Sequence, residues 1–285
     1  MDIRKEIQEL VALYSLEPEL KDVYVEGTCD KNLLDWFLLE RRMEGVNVYT
    51  VDTINVSDEV VNRYGLSSGS NRSRIIALSE ELAAHLPPGH RIICVADRDY
   101  EDYLPSGHTN VFLEFTDYTS ADLYLLRQRT LRKLLSLVLG GFPLTLDDIM
   151  RQIVTILEQV FLVRLANAAL GWNMKWVPFT KYVQIDGALN FAVDRFTDAY
   201  LQKNNRWDER SAFKAKQEEL RAQLRGDPRH RIRGHDLMEL LHYAVKKLRG
   251  ARRFGNVETF HGAFTGCIEA QDLRNEDLFQ RVLAL

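Results

Sequence analysis

The chain has 285 residues, 46% of them hydrophobic and 27% charged, and its formal net charge is −4. That length suffices for one large domain or two small ones with their own cores, and the overall charge balance points to no particular partner. Cys29, Cys94 and Cys267 are odd in number and at no metal-ligand spacing, which argues against a disulfide framework or a zinc site; Met1–Leu13 is too charged for a signal peptide, and no run reaches the ~18 apolar residues of a membrane span, so the expectation is a cytoplasmic protein with no membrane partner.

Ile3, Ile7, Leu10, Val11 and Tyr14 have helical spacing and predict a helix over 2–16. Lys21–Glu26 alternates and predicts a strand, ended by Gly27 and followed by a helix over Lys31–Arg42. Val46–Val51 predicts a second strand. Ser67–Asn71 reads as a loop before a helix over Arg74–Leu86, which Pro87, Pro88 and Gly89 stop. Arg91–Ala96 is a continuous apolar run of the kind buried on both faces of a parallel sheet. Asn110–Phe115 predicts a further short strand. Strands alternating with helices predict βαβ units with right-handed crossovers: an α/β, Rossmann-like, mainly parallel sheet.

After about Thr119 the pattern turns helical. The expected helices are Ala121–Leu139, one running from a Thr145/Asp148 box to about Leu170, then 188–202, 207–225 and His235–Arg249. Arg225–Gly234 reads as an exposed loop. The expected domains are 1–125, α/β, and 126–285, mainly α-helical.

Two carboxylate groups fall at strand ends: Glu26, with Asp30 four residues on, and Asp97 with Asp99. Functional groups of open parallel sheets collect outside the C-terminal strand ends. If the two strands are neighbours, Glu26 lies within a few ångströms of Asp97. Crowded acids repel one another and raise each other's pKa, a conflict that a divalent cation removes. Mg²⁺ takes oxygen ligands, usually one or two carboxylates with water and substrate phosphate. In an extended segment residues i and i+2 share a side, so Asp97 and Asp99 would face one ion. Glu26 is then a ligand or a general base or acid. Read alone, Val25-Glu26-Gly27 is commonplace, Asp97-Arg98-Asp99 is often a cap or turn, and Asp30 suits a helix cap better than a pocket.

The segment VYVEGTCDKNLLDWF, with VADRDY about seventy residues later, resembles the Toprim domain over roughly residues 20–125. That resemblance implies a metal-dependent site in which Glu26, Asp97 and Asp99 act on phosphodiesters with Mg²⁺, or Mn²⁺ in its place. Tyr118–Leu125 and Gly234-His235-Asp236-Leu237 also resemble two later segments of small Toprim proteins encoded beside ABC-type ATPases. The whole chain is similar to the Toprim nuclease effectors of the PARIS anti-phage system, whose partner is the ABC-type ATPase AriA. The resemblance implies Asp122 as a further metal ligand, where relatives usually carry Glu, and His235 as a phosphate contact, where they often carry Lys. It also implies a toxic endonuclease effector with transfer RNA as target, an ATPase partner and a homodimer when active. Without the resemblance, Asp122 reads as an acid favoured at a helix start, and His235 as a first-turn residue.

The sequence is electrically lopsided. Residues 1–126 hold 11 Lys and Arg against 23 Asp and Glu, and residues 127–285 hold 26 against 18. The basic half contains four clusters: Arg127, Arg129, Arg132 and Lys133; Lys203, Arg206 and Arg210 around Trp207; Arg225, Arg229, His230, Arg231 and Arg233; and Lys246, Lys247, Arg249, Arg252 and Arg253, with Phe254 and His261 beyond. Such clusters hold phosphates by counterion release, and Trp207 and Phe254 suggest base stacking. Arg129, Lys133, His235 and Lys31 are the expected substrate contacts. Charge runs are also ordinary solvated faces, or surfaces that dock an acidic partner.

The sequence therefore suggests a Mg²⁺-dependent endonuclease. A topoisomerase would need a gate domain and a transesterifying tyrosine, and a primase would need zinc-binding cysteines. The alternatives are a non-catalytic interaction protein with a structural ion site and an ATPase partner, or a small-molecule phosphohydrolase.

Overall fold

Alternation and β-branching place four strands in one sheet. The computed structural model describes residues 4–249 and 254–285. In chain order its first part carries β1 (Lys5–Glu6), α1 (Ile7–Leu16), β2 (Lys21–Val25), α2 (Thr28–Glu40), β3 (Val46–Thr50), β4 (Ile54–Asn55), α3 (Asp58–Arg63), α4 (Asn71–His85), β5 (Arg91–Ala96) and β6 (Leu113–Phe115). The main sheet has the order β3-β2-β5-β6 with every pair parallel, and β1 and β4 form a separate two-stranded parallel sheet. The register sets Val23 opposite Val48 and Ile93, and Tyr24 opposite Cys94. The α/β class and the parallel sheet expected from the sequence are therefore present.

Every residue from Ile92 to Ala96 is buried, as its unbroken apolar run requires. One face packs Tyr24, Cys94 and Ala96 against Leu10 and Tyr14 of α1 and Ile75, Ile76 and Leu82 of α4. Each of the buried leucines and isoleucines contributes about 1.5–3 kcal/mol on burial. The buried Asp22 is kept by two donors, the Tyr14 hydroxyl at 2.7 Å and the Asn47 amide at 3.0 Å.

The helix starts differ from expectation for local reasons. Lys5 and Glu6 are extended and pair with β4, so α1 begins at Ile7; residues 2 and 3 lie outside the described residues. Asp30 Oδ2 accepts from the Gly27 N–H at 3.1 Å and draws the start of α2 forward to Thr28. Ser70 caps α4 by accepting from the Ser73 N–H at 3.1 Å, so the helix starts at Asn71, not Arg74. Asn110 closes a turn by accepting from the Phe112 N–H at 3.0 Å, which shortens the last strand to Leu113–Phe115.

The remainder is mainly helical. The expected helix 121–139 is three pieces: a 3₁₀ turn Ala121–Leu125, α5 (Gln128–Lys133) and a π turn Leu134–Val138. The Thr145/Asp148 capping box is present, with each residue's side chain bonded to the other's N–H, and starts α6 (Leu146–Asp148). A π turn Ile149–Ile153 leads into α7 (Val154–Ala169). The expected helix from 188 is replaced at its start by an antiparallel hairpin, β7 (Val183–Asp186) and β8 (Ala188–Phe191), turned at Gly187 with φ +64°. Then follow α8 (Val193–Lys203), α9 (Arg210–Arg221), α10 (Gly234–Arg249), α11 (Val257–Thr265), α12 (Ala270–Leu273) and α13 (Asp277–Leu283). The last three helices were not foreseen. Arg225–Gly234 is no exposed loop: it contains a 3₁₀ turn Pro228–His230, and Ile232 is fully buried.

The chain divides into two units, Met1–Arg98 with Pro105–Asp117 and Glu269–Leu285, and Asp99–Leu104 with Tyr118–Ile268. The division differs from a cut after residue 125, because α12 and α13 belong to the first unit, where Phe279 meets Phe37 edge-on at 4.7 Å. No helix among the described residues is long and apolar enough to cross a membrane.

Candidate functional site

In the first unit β2 and β5 are parallel neighbours, so both strands end on the same side of the sheet. Glu26 is the first residue past β2 and Asp97 the first past β5. The Glu26 carboxylate accepts from the Asp97 main-chain N–H at 2.7 Å. Two residues at the start of α4 fix the same two positions. Asn71 donates to the Glu26 carbonyl at 2.8 Å, and Arg72 Nε donates to the Asp97 carbonyl at 2.8 Å. The Arg72 guanidinium also lies 5.6 Å from the centre of the Phe115 ring. Sequence reasoning missed Asn71 and Arg72 because it placed Asn71 in a loop and began the helix only at Arg74; Ser70, an N-cap residue, was the available signal.

Lys31 bonds Asp35 at 2.7 Å and the Val48 carbonyl at 2.7 Å, tying α2 to β3. Asp30 serves the start of α2.

Asp99 departs from the extended geometry assumed for an Asp-x-Asp pair. Its φ is +46°, in the left-handed region, so the rule that i and i+2 share a side does not apply. The chain divides between Arg98 and Asp99. Within the second unit the Asp99 N–H donates to the Thr119 carbonyl at 2.8 Å, and its carboxylate lies 3.2 Å from Arg233. The neighbouring Tyr100 packs on Phe161 at 5.3 Å. Burial pushes its phenol up to about 12, against the pull of Arg233 and with the help of Asp99.

The Gly-His-Asp segment at the start of α10 is held from several sides. The Thr119 hydroxyl donates to the Ile232 carbonyl at 2.5 Å. Asp236, 3% exposed, receives both Nε and Nη2 of Arg164 at 2.8 Å each, and Arg164 stacks 3.4 Å above the Trp176 ring. Asp122 is 12% exposed; Nε2 of His261 lies 2.8 Å from Oδ1, and Nδ1 of His235 3.8 Å from Oδ2. His261 was grouped with the basic cluster in sequence, where nothing indicated Asp122 as its partner.

Much of the positive charge is matched inside the second unit. Arg206 pairs with Glu209 at 2.5 Å and Arg210 with Asp198 at 2.6 Å. Arg229 pairs with Asp227 at 2.6 Å, Arg231 with Glu158 at 2.9 Å, and His230 with Asp102 at 2.9 Å. Phe254 is buried edge-on to Phe260 at 5.4 Å, so it is not a stacking platform. Trp207 is 45% exposed. Arg129 and Arg132 on α5 and Lys246 and Lys247 on α10 are exposed, and Lys133 is half-buried. Arg252 and Arg253 lie outside the described residues, as does the Arg249 side chain.

Among the described residues no three His, Cys, Asp or Glu side chains are gathered as an ion cage. The strand-end residues Glu26 and Asp97 offer carboxylate oxygens, the donor type that suits Mg²⁺, and two are enough where water and phosphate complete the shell. Comparison with protein-family models and with curated proteins gave no significant match to this chain.

Proposed function

We propose that the chain is a divalent-metal-dependent phosphodiesterase of the Toprim type, acting as an endonuclease on nucleic acid. The observation that carries this reading is the meeting of Glu26 with Asp97 at the C-terminal ends of two adjacent parallel strands. Glu26 and Asp97 would hold Mg²⁺ or Mn²⁺; Asp99 enters only as the third acid of the sequence motif that the resemblance supplies. The ion, when bound, supplies positive charge to phosphoryl oxygens and lowers the pKa of water. The chain's own groups hold the arrangement: Asn71 and Arg72 fix the main chain at Glu26 and Asp97. Exposed Arg129 and Arg132, with Lys133 beside them, would meet the polymer's phosphates.

The resemblance supplies the finer reading: a toxic effector of anti-phage defence that cleaves transfer RNA as a homodimer, once activated by or released from an AriA-like ABC-type ATPase. The test is cleavage of total cellular RNA and plasmid DNA, in Mg²⁺ or chelator, by wild type and Glu26→Ala produced with such an ATPase and a phage trigger. Discrete metal-dependent fragments that vanish with Glu26→Ala are the expected result. Indistinguishable proteins would sink it.

A second reading is an interaction protein with a structural ion site. The internal pairing of Asp99, Arg229, Arg231 and Arg233 favours it. It requires a strong upward shift of melting temperature with cation, whereas a weakly held catalytic ion shifts it little.

A further inference from the structure

We propose that Asp122 is an orienting residue, not a metal ligand: His261 anchors its carboxylate, which in turn aims the exposed imidazole of His235 at a substrate phosphate. The phosphate substrate rests on the function proposed above; the assignment of Asp122 does not.

The geometry turns both carboxylate oxygens toward imidazoles. Oδ1 is 2.8 Å from His261 Nε2, and Oδ2 faces His235 Nδ1 at 3.8 Å. An ionised carboxylate only accepts, so a hydrogen bond at this contact requires a proton on His261 Nε2. Gly234 forms the floor. A β-carbon there would stand 2.3 Å from Asp122 Cβ, 2.3 Å from Ser120 Oγ and 2.6 Å from Asp122 Oδ2. Asp122 is thus clamped between His261 and the backbone at the start of α10. The buried Ser120 hydroxyl beside it has no hydrogen-bond partner among the described residues.

One oxygen of this carboxylate is taken by the His261 ring and the other faces the His235 ring, whereas Mg²⁺ prefers oxygen neighbours. The same setting suits orientation. In aspartate–histidine pairs the carboxylate takes the Nδ1–H and leaves Nε2 pointing outward. His235 is 85% exposed on its side chain, whereas His261 is 17% exposed. One ring anchors and the other is presented. The 3.8 Å gap exceeds a hydrogen bond, and such contacts are often long without substrate and close when it binds.

The test needs neither metal nor activity to begin. Ring-nitrogen NMR of the histidines is recorded in chelator for wild type and Asp122→Asn, with thermal melting as a folding check. His235 should favour the Nδ1–H tautomer in wild type and show a weaker bias in Asp122→Asn, whose neutral amide oxygen accepts less strongly than a carboxylate. An identical tautomer ratio in the two folded proteins would overturn the proposal. Mn²⁺ titration then separates the roles: Asp122→Asn should bind within about twofold of wild type, and a fall of about tenfold or more would make Asp122 a ligand after all. In cleavage, His235→Gln should lower turnover while leaving Mn²⁺ affinity unchanged. If wild type cleaves nothing, the nuclease reading fails, and the tautomer result still decides the role of Asp122.

Discussion

The Glu26 carboxylate is bonded to the main-chain N–H of Asp97 at 2.7 Å, joining residues 71 apart in sequence. The contact exists because β2 and β5 are neighbours, and it bends the side chain after one strand over the end of the next. Glu26→Gln keeps an acceptor for that N–H and removes the charge. Its stability should stay within about 1 kcal/mol of wild type by denaturant unfolding, while cation-dependent behaviour is lost. A much larger drop would assign Glu26 to the fold alone.

Gly234→Ala tests close approach at the start of α10. The added methyl falls 2.3 Å from both Ser120 Oγ and Asp122 Cβ, closer than a β-carbon can approach without something shifting. Overpacking of this kind costs about 1–3 kcal/mol. Thermal melting should show the loss; an unchanged midpoint would mean that α10 has room to move away from Asp122.

Glu239 gives a pH signature. Burial, only partly opposed by the hydrogen bond from Thr180, raises its carboxyl above the ordinary value. The folded state therefore holds this proton more tightly than the unfolded state. Wild-type stability from this group falls as pH rises from the unfolded to the folded value, and stays lower above it. Glu239→Gln removes that loss. The variant should match wild type in acid and melt higher at neutral pH, with the gap opening across that window. A constant offset at all pH values would contradict the assignment.

The basic side chains of the second unit differ in exposure. Doubly reversing Arg129→Glu and Arg132→Glu on α5 should weaken binding of single-stranded RNA and flatten its salt dependence by about one unit of slope for each phosphate no longer held. Arg231→Ala should instead lower stability, since it leaves half-buried Glu158 without its partner. Equal effects of the two changes on RNA affinity would argue that pairing inside the unit is irrelevant to binding.

Long-period patterns were legible in the sequence. Arg91–Ala96 reads as a buried parallel strand and is one to the residue, and the Thr145/Asp148 box caps where its spacing says it should. The neighbouring of β2 and β5, on which the Glu26–Asp97 contact depends, entered the sequence reading only as a condition, and the sheet order meets it. What failed was set by tertiary partners. Asp99 takes a left-handed turn that neither its identity nor its spacing announces. Arg233 and His261 find Asp99 and Asp122 across more than a hundred residues of chain. The hairpin about Gly187 was hidden because Ala188–Phe191 continues without a break into the apolar spacing of α8.

The most direct measurement is Mn²⁺ binding by paramagnetic resonance to wild type and Glu26→Gln, followed in the same samples by cleavage of RNA and DNA. One weak saturable site in wild type, lost together with cleavage in Glu26→Gln while the fold melts normally, is the result expected of a catalytic cation held at the ends of β2 and β5. Equal Mn²⁺ binding by the two proteins, or cleavage that survives the substitution, would contradict it.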